Sequence, residues 1–121
     1  MEIIERRKKE RTRIIEEARE WVSTLGFRLT VILIGSYARG DFNLWSDVDI
    51  LLVSDVFQGN PLNRLKMVNP PPGYEVIPVN TYEFLENMRK KNVLIQEASK
   101  HGIILRDDLN LAKHLKKTEE Q

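Results

Sequence analysis

The sequence predicts an α/β (α+β) domain, a small mixed β-sheet flanked by helices. Two nearly continuous apolar runs, Leu29–Ile34 and Val48–Val53, have the β-branched character of strands covered on both faces. Segments of helical spacing separate them from two further strand-like runs. The 121 residues fit one domain, expected to span 1–121, and 41% hydrophobic residues suffice for one core.

A basic amphipathic helix is expected over about residues 2–25. Ile14, Ile15, Ala18, Trp21, Val22 and Leu25 fall at helical spacing, and Gly26 supplies a stop. Ahead of them, Glu5 to Arg13 holds six basic residues, two acidic ones and no apolar side chain. Such a stretch reads first as solvated helix surface, and second as a contact for RNA or an acidic partner. The strand Leu29–Ile34 ends abruptly at Gly35-Ser36, and Tyr37 to Ser46 has room for one or two helical turns. Asn60-Pro61 has the N-cap and first-turn chemistry of a short helix running to about Met67.

Pro70-Pro71-Pro72-Gly73 requires an irregular connection, because proline extends neither element. Tyr74–Val79 reads as a third strand, with Pro78 marking an edge or a strand end. Asn80 and Glu83 have capping-box spacing ahead of Phe84, Leu85 and Met88. A helix over Val93–His101 stops at Gly102, Ile103–Leu105 is a short final strand, and Asp107 or Asp108 caps a last helix.

Composition excludes several chemistries. There is no cysteine, hence no disulfide, thiolate zinc site or cysteine nucleophile. His101 and His114 lack ligand-like spacing, so a bound metal would be held by oxygen, which favours magnesium or manganese. The net charge of +1 is not that of a polycation. No apolar run approaches the roughly 20 residues of a membrane span, and the first residues carry no apolar secretory core, so a cytoplasmic protein is expected.

The chemistry is concentrated between Gly35 and Asp49. Asp47 and Asp49 are two apart at the start of a strand, so both carboxylates project to one side. Held that close they repel, and a divalent cation is the natural remedy. Alone, such a pair is more simply a solvated turn that starts a strand. Gly35-Ser36 shifts the balance, because glycine after a buried strand lets backbone approach an anion and a following helical turn aims free amides at it. Amides for terminal phosphates beside metal-holding carboxylates are what a nucleoside triphosphate requires. Arg39 touches phosphate, pairs with Asp41 or orients the acids, three readings of equal weight. Gly40 permits a turn with positive φ. Ser46 caps or orients Asp47. Tyr37 and Trp45 either stack on a base or, as is commoner beside such a loop, pack on the core.

This stretch resembles the minimal nucleotidyltransferases of the DNA-polymerase-β-like superfamily. Their signature is Gly-Ser, ten intervening residues, then Asp-x-Asp; here Gly35-Ser36 is followed by Tyr37 to Ser46 and then Asp47-Val48-Asp49. The flanks match too, from Val31–Ile34 through Tyr37-Ala38-Arg39-Gly40 to Ile50–Val53. The resemblance implies the polymerase-β-like nucleotidyltransferase fold and a third carboxylate on a neighbouring strand. Glu75 is the candidate, a glutamate where the family has aspartate; the competing reading is an exposed edge-strand glutamate. It also implies two Mg2+ ions, or Mn2+, held by Asp47, Asp49 and Glu75, with ATP as substrate and Gly35, Ser36, Arg39 and Ser46 around it.

Many such proteins pair with a helical HEPN-domain toxin and neutralise it by transferring AMP to a tyrosine. The resemblance therefore implies an antitoxin that adenylylates a HEPN partner. Transfer to a small-molecule hydroxyl, as in aminoglycoside nucleotidyltransferases, and a non-catalytic antitoxin that only binds its partner are the alternatives. RNA binding by the basic helix is a weaker reading, and self-association stays open.

Overall fold

The apolar runs become the middle of a four-stranded sheet. In the computed structural model, residues 2–119 are described, with the side chains of residues 2–115; Met1, Glu120 and Gln121, the ends of the expected span, lie outside the described residues. The elements are α1 (Glu2–Ser23), β1 (Thr30–Ile34), α2 (Gly35–Arg39), β2 (Val48–Val53), α3 (Pro61–Val68), β3 (Tyr74–Val79), α4 (Thr81–Arg89), α5 (Val93–His101), β4 (Ile103–Asp107) and α6 (Ala112–Glu119). The strand order is β3-β2-β1-β4. β1 pairs antiparallel with β2 and β4, whereas β2 and β3 run parallel, so the sheet is mixed.

Alternation along the central strands divides the core in two. Val31, Leu33, Ile50 and Leu52 pack with Ile14, Ala18 and Val22 of α1 and Val68 of α3. Ile32, Ile34, Leu51 and Val53 pack with Phe84 of α4, Ile95 and Ala98 of α5, and Leu111 and Leu115 near α6. Every residue of β1 is buried, which is why that run lacks the polar alternation of a solvent-facing strand.

Local chemistry sets the helix ends. Asn80 and Glu83 form the expected capping box of α4. Asn60 accepts from the Asn63 N–H, with proline in the first turn of α3. Of the two acids proposed to cap the last helix, Asp107 takes the task, accepting from the Leu111 and Ala112 amides at 2.8 and 3.1 Å. Asp108 instead accepts from the Leu29 N–H. β4 is two residues longer than Ile103–Leu105, because Arg106 and Asp107 continue its pairing to Val31 and Thr30 across a bulge. Pro78 does lie on an edge strand, and the buried Arg64 of α3 donates to its carbonyl at 3.1 Å and to Glu83 at 2.7 Å. Among the described residues, no helix is long and apolar enough to cross a membrane.

Candidate active site

The C-terminal end of β1 and the first residues of β2 and β3 meet at one edge of the sheet. Ile34 is paired with Asp49, and Asp49 with Glu75. Asp49 alternates with Leu51 and Val53, so it belongs to the face covered by α4, α5 and α6.

α2 starts at Gly35 itself, two residues ahead of the segment in which the sequence left room for helical turns. Its N-cap is Ile34, which offers no side-chain hydrogen bond, so the first amides of this short helix have neither a capping oxygen nor a carbonyl one turn back. Gly35 has φ +75°, and a Cβ built there would stand 2.2 Å from Asp49 Oδ2 and 3.0 Å from its Cγ. The glycine is thus required twice, by backbone conformation and by direct contact with a carboxylate. The two halves of the Gly-Ser…Asp-x-Asp pattern touch.

Asp47 lies one residue before β2 and is exposed, whereas Asp49 is half-buried. Burial, then the charges of Glu75 and Asp47, then a hydrogen bond with Glu75 push the Asp49 carboxyl up to about 6; Arg39 opposes them. Glu75 is both things the sequence offered, an exposed residue on an edge strand and the register neighbour of Asp49. Among the described residues, no three acids or histidines are gathered closely enough to ligate one ion. The donor chemistry nevertheless fits a hard divalent cation: the ligands are oxygens, and Asp49 is held against like charges that a cation would offset.

Arg39 resolves toward ion pairing. Its Nε donates to both Asp41 oxygens, at 3.1 and 3.3 Å, and its Nη1 donates to Glu97 of α5. The same C-terminal end of α2 is also held from α1: Arg11 donates to the Tyr37 and Ala38 carbonyls, both at 2.7 Å. Gly40 closes the helix at φ +96°, as expected. The basic stretch is solvent-exposed through Lys9, yet Arg11 is an anchor rather than surface charge. Its sign was present in the sequence, because residues 11, 14, 18 and 22 continue one helical stripe. Glu97 carried no such sign.

The loop before Asp47 departs from expectation in two places. Tyr37 packs on the core and stacks on Phe42, with ring centroids 4.3 Å apart, but Trp45 is 90% exposed and Leu44 96%. The reason is local: Asn43 Oδ1 accepts from the Trp45 N–H at 2.8 Å, turning the chain so that residues 44 and 45 form its outer corner. Ser46 closes the same turn, its hydroxyl accepting from the Asn43 N–H at 2.9 Å, and shapes the approach to Asp47 rather than bonding to it.

Comparison with known proteins agrees with this geometry. A stretch 65% identical over 26 residues belongs to a curated Methanocaldococcus jannaschii protein provisionally named a protein adenylyltransferase; it covers 22% of this chain and only 26% of that protein. A Sulfolobus solfataricus structure, provisionally named a nucleotidyltransferase, shares the fold at TM-score 0.60 and 24% identity, covering 81% of this chain and 84% of its own. A toxin–antitoxin structure with AMP-PNP does so at TM-score 0.55 and 19% identity, covering 88% and 86%. A mutant of the MntA–HpeT toxin–antitoxin matches at TM-score 0.55 and 16% identity over the same shares. The profile of the nucleotidyltransferase domain family matches residues 11–121, from the arginine that anchors α2 to the end of the chain, and by that match the chain belongs to the nucleotidyltransferase domain family.

Proposed function

We propose that this chain transfers AMP from ATP to a hydroxyl of a partner protein, in the first instance a tyrosine of a HEPN-domain toxin that it neutralises in the cytoplasm. The observation that carries the reading is the contact between Gly35 and the Asp49 carboxylate, which sets uncapped amides of α2 beside an acidic edge of the sheet. Amides for phosphate next to carboxylates for metal suit a metal-bound triphosphate and little else.

Asp47 and Asp49 hold the metal, with Glu75 completing the set. Bound Mg2+, as two ions or replaced by Mn2+, supplies charge neutralisation on the phosphates and a lowered pKa for the acceptor hydroxyl. The Gly35, Ser36 and Tyr37 amides and the Ser36 hydroxyl receive the β- and γ-phosphates. The acceptor oxygen attacks the α-phosphorus, the bond to pyrophosphate breaks, and Glu75 takes the hydroxyl proton. Ser46 keeps the turn that presents Asp47, and Arg39 adds positive charge near Asp49. The exposed Leu44 and Trp45, three and two residues before Asp47, favour a macromolecular acceptor over a small one.

The test is ATP labelled at the α-phosphate, incubated with Mg2+, this protein and the product of its neighbouring gene. Label on a tyrosine of the partner, with equimolar pyrophosphate and none of either with an Asp47→Ala, Asp49→Ala variant, is the expected result. Equal neutralisation of the partner by that variant would leave binding without catalysis.

A further inference from the structure

α2 carries the amides that the proposed reading assigns to the terminal phosphates, yet it is five residues long, too short to hold its own direction. Its orientation comes from outside. Arg11 grips its last carbonyls from one side. On the other side Arg39, its final residue, is bracketed between Asp41 on the following loop and Glu97 on α5. α5 is itself fixed, since Ile95, Ala98 and Ser99 are buried and flank Glu97. Glu97 is only 27% exposed on its side chain, and Arg39 36%. A partly desolvated pair of this kind holds geometry better than a surface ion pair.

We infer that Glu97 is a positioning residue for the nucleotide's terminal phosphates: by clamping Arg39 to α5 it fixes α2, and so the α2 amides, beside Asp49. This inference rests on the proposed use of those amides. Glu97 touches neither metal nor nucleotide; its effect passes through Arg39. A side chain that positions the cradle for terminal phosphates should matter for ATP and not for AMP, which has no phosphate to place there. Its removal should also cost nothing once Arg39 is already gone.

The experiment measures dissociation constants for ATP and for AMP, each with Mg2+, by titration calorimetry on wild type, Glu97→Gln, Glu97→Asp, Arg39→Gln and the Glu97→Gln, Arg39→Gln double variant. Glu97→Gln should weaken ATP by about five- to tenfold, the scale of one lost charge-assisted bond, and leave AMP within about twofold. Glu97→Asp should recover part of the loss, and the double variant should bind ATP no worse than Arg39→Gln. Equal weakening of ATP and AMP, or effects that multiply in the double variant, would overturn the inference. If wild type binds ATP and Glu97→Gln binds it equally well, only this inference falls. If wild type binds neither nucleotide, the proposed function falls with it.

Discussion

Asp49 and Glu75 occupy paired positions on parallel neighbouring strands, and their carboxyls crowd each other at the sheet's edge. Asp49 titrates near 6 where an ordinary aspartate titrates near 3.8, with burial as the first cause and the neighbouring acids next. A folded-state pKa above the unfolded one means that the native state binds the proton more tightly. The associated stability is fully present below about pH 4 and is lost as pH rises through about 6. At neutral pH the fold therefore carries a half-buried charge and, second to it, the repulsion of its acidic neighbours, both of which the proposed function uses.

Replacing Asp49 by Asn removes that repulsion. At pH 7 without metal, Asp49→Asn should melt about 3 °C above wild type, taking roughly 1 kcal/mol after discounting for the solvent-facing part of the group. The gap should close by pH 4, and added Mg2+ should raise the melting temperature of wild type alone. Nucleotidyl transfer should fall on the order of a thousandfold. A variant that melts lower than wild type at pH 7 contradicts the electrostatic account.

Gly35→Ala makes the opposite trade. The new Cβ meets the Asp49 carboxylate at 2.2 Å, and φ +75° is a conformation that alanine adopts at a cost of about 1–2 kcal/mol. Thermal melts should show that loss, and ATP binding should disappear as Asp49 is displaced. Gly40→Ala, also at positive φ but with nothing within 4 Å of its added Cβ, should lose stability while keeping more of the binding.

Why some of this was legible and some was not follows from the range of each interaction. Gly35, Asp47 and Asp49 were readable because one glycine, one hydroxyl and two acids sit at fixed spacing between two apolar runs. The capping box at Asn80 and Glu83 was readable for the same reason, being contained in four residues. Trp45 departs from the core-packing reading because its N–H donates to Asn43 Oδ1, two residues earlier, and that bond decides which way the loop turns. Glu97 lies 58 residues from Arg39, and no local pattern specifies which of the many exposed acids a given arginine will meet. Arg11 falls between these cases: a charge on the buried stripe of a helix signals a partner without naming it.

Arg11 makes a separable prediction. Its two bonds to the Tyr37 and Ala38 carbonyls satisfy the end of α2, where the helix dipole also favours a cation. Arg11→Ala should cost about 2–3 kcal/mol in denaturant unfolding. Arg13→Ala removes a surface cation paired with Glu10 and Glu17 on its own helix and should leave the unfolding midpoint close to that of wild type. Similar losses in the two variants would return Arg11 to the role of surface charge.

Trp45 tests where the acceptor arrives. An indole 90% exposed, two residues before Asp47, contributes nothing visible to the fold, so Trp45→Ala should unfold like wild type. Tryptophans at the centre of protein contacts often cost 2 kcal/mol or more when truncated, so transfer to a protein acceptor should show a KM raised about tenfold or more. The dissociation constant for ATP should stay unchanged, because Trp45 lies on the loop's outer corner and the amides of α2 do not depend on it. Weakened ATP affinity would place the indole against the nucleotide base instead, and an unchanged KM would move the acceptor to another face.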